Sequence, residues 1–119
     1  MSLLSRLFGA PSSTPAAAPQ AVDVHEARRR QTGGALLIDV REPGEWQQGH
    51  APDVTLIPLG SLATRLADIP HDRDVLLICR SGNRSGTAQR QLLQRGYERV
   101  FNVSGGMNAW ASAGLPIAR

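Results

Sequence analysis

The chain has 119 residues, of which 41% are hydrophobic and 19% are charged, a composition typical of one globular domain. A net charge of +3 with 4% aromatic residues is weak for a nucleic-acid-binding protein, so we expect no nucleic-acid partner. No apolar run approaches the roughly 20 residues that cross a bilayer, so no membrane span is expected. A single cysteine excludes an internal disulfide, and the spacing of the three histidines fits no metal site. No secretory signal is recognisable, so we expect a cytoplasmic protein.

The charge is unevenly distributed along the chain. All 13 basic residues are arginine. Residues 1–73 carry a net charge of −1, from 7 Arg and 8 acidic residues, whereas residues 74–119 carry +4, from 6 Arg and 2 acidic residues. The basic part also contains Cys79, the single cysteine. This distribution favours a small anionic substrate that binds near Cys79.

The first 20 residues differ in composition from the rest. Pro11, Pro15 and Pro19 alternate there with alanine, serine and threonine, a composition that cannot build a core. We therefore predict a flexible N-terminal tail over residues 1–20 and one folded domain over residues 21–119.

From residue 21 onward, helix-like and strand-like patterns alternate. Asp23 is the predicted N-cap of a first helix, which ends at Gly33-Gly34. The continuous apolar run over residues 35–38 predicts a buried parallel strand. The remaining predicted elements are a strand over residues 54–57, a helix over 59–69, a strand over 75–78, a helix over 85–95, a strand over 100–103 and a final helix between Gly105 and Gly114. The alternation indicates a mostly parallel sheet with helices on both faces.

The chemistry is predicted to centre on Cys79, which follows the strand over residues 75–78. Open parallel sheets bind ligands beyond the carboxyl ends of their strands. Small residues and two arginines follow the cysteine and lead into a helix, so backbone N–H groups and cationic side chains can surround the thiol. Comparable settings lower a cysteine pKa to roughly 3.5–7.5. The predicted nucleophile is therefore Cys79, and the predicted anion-binding loop comprises Arg80, Ser81, Gly82, Asn83, Arg84 and Ser85.

The alternative interpretation is that Cys79 is an apolar residue that ends a buried strand, as many free cysteines do. The two arginines and the small polar residues that follow it form a poor composition for a core. We therefore favour the interpretation of Cys79 as a nucleophile over that of a buried apolar residue.

Three segments in fixed order resemble the motifs of rhodanese-like sulfurtransferases. Residues 79–85 resemble the active-site loop of that family, residues 39–50 its upstream motif, and residues 96–116 its closing motif. The resemblance covers residues 21–119. It implies an α/β rhodanese-like three-layer fold, in which a five-stranded, mainly parallel sheet is flanked by helices on both faces.

The resemblance also implies an activity. Cys79 would take sulfane sulfur from a small anionic donor such as thiosulfate, form a persulfide, and pass the sulfur to cyanide or to a thiol. No metal or organic cofactor is implied. An alternative is a sulfur-carrier or docking module that serves a specific protein acceptor without appreciable turnover of thiosulfate. Phosphatases and arsenate reductases of the same fold have the pattern Cys-x5-Arg, in which the arginine lies six positions after the cysteine. Here Arg84 lies only five positions after Cys79, and the shorter loop fits a sulfur atom better than a phosphate group.

Asp39 and Arg41, from the upstream motif, are predicted to support the site rather than to react. Asp39 ends a strand beside that of Cys79 and is expected to brace the loop. Arg41 is expected to pair with Asp39 or with Glu45.

Overall fold

The structure is a computed structural model that describes residues 19–119. The predicted tail lies outside the described residues except for its last two positions. Five strands form one sheet: β1 (Gln20–Val22), β2 (Leu36–Asp39), β3 (Thr55–Leu56), β4 (Val75–Ile78) and β5 (Val100–Val103). Their order is β1-β5-β4-β2-β3, and every neighbouring pair is parallel. The predicted α/β class and parallel sheet are confirmed.

Helices cover both faces of this sheet, which confirms the three-layer arrangement. The α-helices are α1 (Val24–Thr32), α2 (Pro43–Gln47), α3 (Asn83–Gln94) and α4 (Gly106–Ser112), and two short 3₁₀ helices span Leu59–Thr64 and Leu66–Asp68. Helices α1 and α4 pack on one face, whereas α3 and the 3₁₀ segments pack on the other. None of the helices described for residues 19–119 is long and apolar enough to cross a membrane.

The central strand β4 is buried along its whole length, as its apolar run predicts. Its side chains alternate between the two faces of the sheet. Leu77 packs in the layer that contains Leu92 of α3, and Leu76 packs in the layer that contains Trp110 of α4. Both layers therefore hold β4 firmly, and Cys79 follows it directly.

One strand departs from the prediction. The sequence predicts Gln20 to lie in the tail, but Gln20 begins β1, which pairs with β5 through Gln20 and Phe101. The buried Gln89 side chain donates to the Gln20 carbonyl at 2.5 Å and to the Val100 carbonyl at 3.2 Å, which ties this edge strand to its neighbour. Strand β1 has only three residues, two of which are exposed, so it is too short to show the alternation of apolar and polar residues that predicts a strand.

The helix predicted over residues 59–69 is wrong in type. The chain forms two 3₁₀ helices there, with bonds from Ser61 N–H to the Pro58 carbonyl (2.8 Å) and from Arg65 N–H to the Leu62 carbonyl (3.1 Å). Apolar residues three positions apart share a face in both helix types, so their spacing does not distinguish them.

Smaller differences concern the element bounds. The strand predicted over residues 54–57 shortens to Thr55–Leu56, and α3 begins two residues earlier than predicted. Helix α2 was not predicted. The predicted cap of α1 is confirmed, because the Asp23 side chain accepts from the Glu26 N–H at 2.8 Å.

Candidate active site

The loop after β4 curls around the sulfur of Cys79, as the sequence predicts. Cys79 is 1% exposed. The Gly82 N–H lies 3.1 Å from Sγ, and the Ser85 hydroxyl lies 3.3 Å from it. Gly82 has a φ of 107°, in the left-handed region that glycine tolerates best, and this turn directs the chain back over the sulfur.

Hydrogen bonds make this thiol more acidic than an ordinary cysteine. Burial raises the pKa of Cys79, but the Ser85 hydroxyl and the backbone N–H groups of Ser85, Gly82 and Ser81 together outweigh burial, so that the net pKa is lowered. The pKa of Cys79 is thus shifted in the direction that the sequence predicts. Its main source is the hydroxyl and the backbone amides rather than the arginine charges.

The two loop arginines differ in how firmly they are held. Arg84 donates two hydrogen bonds to the Glu45 carboxylate, at 2.6 and 2.9 Å. The Arg80 side chain is 65% exposed, and its Nε lies 3.9 Å from the same carboxylate. Glu45 belongs to α2, which the sequence analysis did not predict. Part of the positive charge expected at the loop is therefore neutralised by Glu45.

The Arg84–Glu45 pair stays ionised at neutral pH. The hydrogen bond from Arg84 is the largest of the effects that lower the pKa of Glu45, to about 2. The Glu45 carboxylate in turn raises the pKa of Arg84. Because the pKa of Glu45 is depressed, its contribution to stability is present above its ordinary pKa and is lost only as the pH falls toward 2. A change of activity between pH 5 and 8 therefore does not come from this pair.

Asp39 and Arg41 form a buried ion pair, which is one of the two pairings the sequence predicts for Arg41. The Asp39 carboxylate accepts from the Arg41 backbone N–H (3.0 Å) and from its guanidinium (2.8–3.1 Å). A further guanidinium bond of 2.8 Å reaches the Gly49 carbonyl. Among the described residues, the hydrogen bonds of the Asp39 carboxylate come from Arg41 alone. Asp39 therefore does not brace the Cys79 loop directly, because its lone pairs already serve Arg41.

Backbone hydrogen bonds from the start of α4 hold the beginning of the Cys79 loop in place. The Met107 N–H donates to the Cys79 carbonyl at 2.8 Å, and the Asn108 N–H donates to the Arg80 carbonyl at 3.0 Å. Gly106 has a φ of +56°, and a Cβ there would lie 2.4 Å from the Cys79 carbonyl oxygen. Gly106 therefore permits the close approach of the loop as well as the predicted turn into the last helix.

Asn102 of β5 is a site residue that sequence reasoning missed. Its Nδ2 donates to the Gly82 carbonyl at 3.1 Å, and its Oδ1 accepts from the Ser85 hydroxyl at 2.6 Å. Asn102 thus bonds to both residues whose donors face Sγ, to the Ser85 hydroxyl itself and to the carbonyl of Gly82. The available signal was a polar residue in the middle of a short strand that is otherwise apolar.

A groove of about 390 Å³ adjoins the loop, between α2, α4 and the C-terminal segment. Arg80 and Arg119 are exposed along it. Ile117, 38% exposed, also lines it. The groove thus combines cationic groups with an apolar wall beside the loop.

The class of this protein is defined by a parallel α/β sheet with a loop at the carboxyl ends of its strands, in which the Gly82 N–H and the Ser85 hydroxyl face the Cys79 sulfur. The chain belongs to the rhodanese-like domain family, whose model matches residues 23–113. The predicted family is therefore confirmed.

Individual relatives agree with this assignment. A protein of Allochromatium vinosum named "Sulfurtransferase" is 48% identical over 90 residues, which cover 76% of this chain and 84% of that protein. The rhodanese-related protein of Thermoplasma volcanium is 27% identical with a TM-score of 0.77, over 83% of this chain and 97% of that one. Bacillus anthracis CoADR-RHD is 39% identical with a TM-score of 0.75, over 79% of this chain but only 17% of that much longer protein.

Proposed function

We propose that this protein is a sulfurtransferase in which Cys79 carries sulfane sulfur as a persulfide. The observation that carries the proposal is the buried Cys79 sulfur, which faces the Gly82 N–H and the Ser85 hydroxyl. Donors in this arrangement stabilise a thiolate and, after transfer, a negatively charged persulfide. A free reactive thiol is kept reduced in the cytoplasm, which is where we place the reaction.

The first half-reaction loads the enzyme. The Cys79 thiolate attacks the sulfane sulfur of thiosulfate, forming a new S–S bond. The S–S bond of the donor breaks, and its electron pair leaves with sulfite. The negative charge of the enzyme moves from Sγ to the outer sulfur of the persulfide, so the step needs neither a proton nor a redox partner.

The second half-reaction unloads it. Cyanide or a thiolate attacks the outer sulfur, the persulfide S–S bond breaks, and its electron pair returns to Cys79. The Arg80 and Arg84 side chains support an anionic donor, because both lie on the loop and the one Glu45 carboxylate neutralises only part of their charge. The five-residue spacing from Cys79 to Arg84 makes the loop shorter than that of the phosphatases, which argues against phosphate ester hydrolysis.

A carrier module for a protein acceptor is the second candidate. The groove beside the loop favours it, since the groove extends to the C-terminal segment and its exposed Ile117 offers an apolar contact to a protein surface. Steady-state kinetics with thiosulfate and cyanide separate the two functions. A carrier would load Cys79 once and turn over slowly, whereas an enzyme would cycle.

Intact mass spectrometry tests the proposal directly. After incubation with thiosulfate and removal of excess donor, the protein is expected to gain the mass of one sulfur atom. Cyanide should then remove that mass, because it attacks the outer sulfur of a persulfide. Cys79→Ser treated in the same way is the control. A wild-type mass that stays unchanged after incubation with excess thiosulfate would contradict the persulfide. A gain of one sulfur atom in Cys79→Ser would contradict it as well.

Charge variants test the anionic donor. Arg84→Ala is expected to raise the KM for thiosulfate by roughly 2- to 30-fold and to weaken its dependence on ionic strength, because salt screens the lost attraction. Arg80→Ala should have a smaller effect, since that side chain extends into solvent. Glu45→Gln removes a negative charge and should lower the KM. If all three variants had the same thiosulfate kinetics as the wild type at low salt, the result would show that backbone amides alone bind the donor.

A further inference from the structure

The Ser85 hydroxyl lies between two hydrogen-bond acceptors but has one proton. Its Oγ is 3.3 Å from Cys79 Sγ and 2.6 Å from Asn102 Oδ1. A hydroxyl can donate to only one of them at a time. Ser85 is 0% exposed, so bulk solvent does not reach its hydroxyl, whereas Asn102 is half-buried. The two acceptors therefore compete for one proton.

The orientation of the Asn102 amide cannot relieve this competition. Its Nδ2 donates to the Gly82 carbonyl, which can only accept, and a flipped amide would set two oxygens against each other. Gly86 also lies close to the amide, since a Cβ built there would come within 3.4 Å of Nδ2. The Oδ1 atom is thus held facing Ser85.

We propose that the Ser85 hydroxyl is a one-proton switch, and that Asn102 is a positioning residue that favours the sulfur-loaded state of Cys79. In the free enzyme, the Cys79 thiolate needs the Ser85 proton, and Oδ1 then faces an oxygen lone pair at 2.6 Å. In the persulfide, the negative charge has moved to the outer sulfur, and the inner Sγ no longer needs that proton. The hydroxyl then turns to Asn102. This inference rests on the proposed function.

The switch changes no bond of Ser85. The O–H bond rotates between its two acceptors, while the S–S bond of the donor breaks and that of the persulfide forms. The free thiolate is disfavoured because the Asn102 oxygen loses its hydrogen bond from Ser85, and that bond is regained on loading. Asn102 thereby shifts the balance between thiolate and persulfide without touching the transferred sulfur.

Charged groups near the loop do not change when Asn102 is replaced. Strand β5 and helix α4 contain no ionisable residue, and α3 contributes only arginines. The charged side chains at the loop, beside Asn102 and at the adjoining end of the sheet are Arg80, Arg84, Arg90, Glu45, Asp39 and Arg41. An uncharged replacement of Asn102 therefore changes the acidity of Cys79 through hydrogen bonds only.

A double-mutant cycle tests the switch. The four proteins are the wild type, Asn102→Leu, Ser85→Ala and the double variant, and the readout is the pH dependence of Cys79 alkylation by iodoacetamide. Asn102→Leu frees the Ser85 proton for the thiolate, so alkylation below the wild-type pKa should become about 2- to 10-fold faster. Ser85→Ala should slow it. In the Ser85→Ala background, Asn102→Leu should have no such effect.

An equal change in both backgrounds would overturn the switch, because it would show that Asn102 acts only by holding Gly82. No change in either background would overturn it as well. A second readout is the persulfide fraction at a fixed ratio of thiosulfate to sulfite, which should fall in Asn102→Leu. Alkylation needs no sulfur transfer, so the switch can fail while the persulfide forms, and a missing persulfide would instead contradict the proposed function.

Asn102→Asp provides the opposite perturbation and a reserve if the leucine variant does not fold, which thermal unfolding followed by circular dichroism would show. The carboxylate keeps an acceptor toward Ser85 and adds a negative charge, so alkylation should become slower. The charge and the loss of the hydrogen bond to the Gly82 carbonyl act in both backgrounds, but the competition needs the hydroxyl. The switch therefore requires a larger slowing with Ser85 present than in the Ser85→Ala background, and an equal slowing would overturn it.

Discussion

Cys79→Ser is expected to abolish sulfur transfer and to leave the fold intact. The serine oxygen fits the space of the sulfur and can still accept from the Gly82 N–H. A neutral hydroxyl is a poor nucleophile, however, and does not carry sulfur as a persulfide. Thiocyanate production from thiosulfate and cyanide should fall by at least about 10³-fold, since loss of a nucleophile removes the whole covalent route.

The unfolding transition provides the control for this loss. The melting temperature of Cys79→Ser should stay close to that of the wild type, because the replacement is nearly isosteric in a core position. Residual turnover of several per cent, with protein free of wild-type contamination, would show that another group accepts the sulfur. A collapse of the melting temperature would instead mean that the loss of activity reports unfolding.

Local signals in the sequence indicate where the proposed nucleophile lies. The apolar run of β4 indicates a buried strand, and the abrupt change to arginine and small residues after Cys79 marks the end of that strand. Each of these signals lies within ten residues of the cysteine. The Asp23 cap was predictable for the same reason, because its partner Glu26 is three residues away.

The partners of the loop were not predictable in this way, because they come from distant parts of the chain. Glu45 lies 39 residues before Arg84, and Asn102 lies 17 residues after Ser85. Both reach the loop because β4 lies between β2 and β5 in the sheet. That order brings the segment after β2 and the side chains of β5 to opposite sides of Cys79. The contacts of Glu45 and Asn102 with the loop therefore depend on the order of the strands. A polar residue within a strand does not by itself show which residue it will contact.

The role of Gly106 likewise depends on a contact between distant segments. Its sequence context indicates a turn into a helix, and the φ of +56° agrees with that. The lack of room for a Cβ between Gly106 and the Cys79 and Arg80 carbonyls arises only when α4 is packed against the loop. This contact leads to the second large effect.

Gly106→Ala is expected to disrupt the loop and to destabilise the domain. A Cβ would lie 2.4 Å from the Cys79 carbonyl oxygen and 2.6 Å from backbone atoms of Arg80, all too close for real contacts. Backbone cannot rotate away as a side chain can, so α4 or the loop must move. The hydrogen bonds from Met107 and Asn108 to these carbonyls would then weaken. We expect a loss of about 2–5 kcal/mol in the free energy of unfolding, from overpacking and from the left-handed backbone.

Gly114→Ala is the matched control, because it separates backbone strain from the clash. Gly114 also has a left-handed φ, +73°, but a Cβ there would meet nothing within 4 Å. It should lose only about 1–2 kcal/mol and keep its sulfur transfer. In Gly106→Ala, displacement of the loop by even about 1 Å should lower kcat/KM by roughly 10²-fold, and alkylation of Cys79 should shift to higher pH as the amide bonds to the sulfur weaken. Equal unfolding free energies and equal kcat/KM in the two variants would show that the start of α4 does not hold the loop in place.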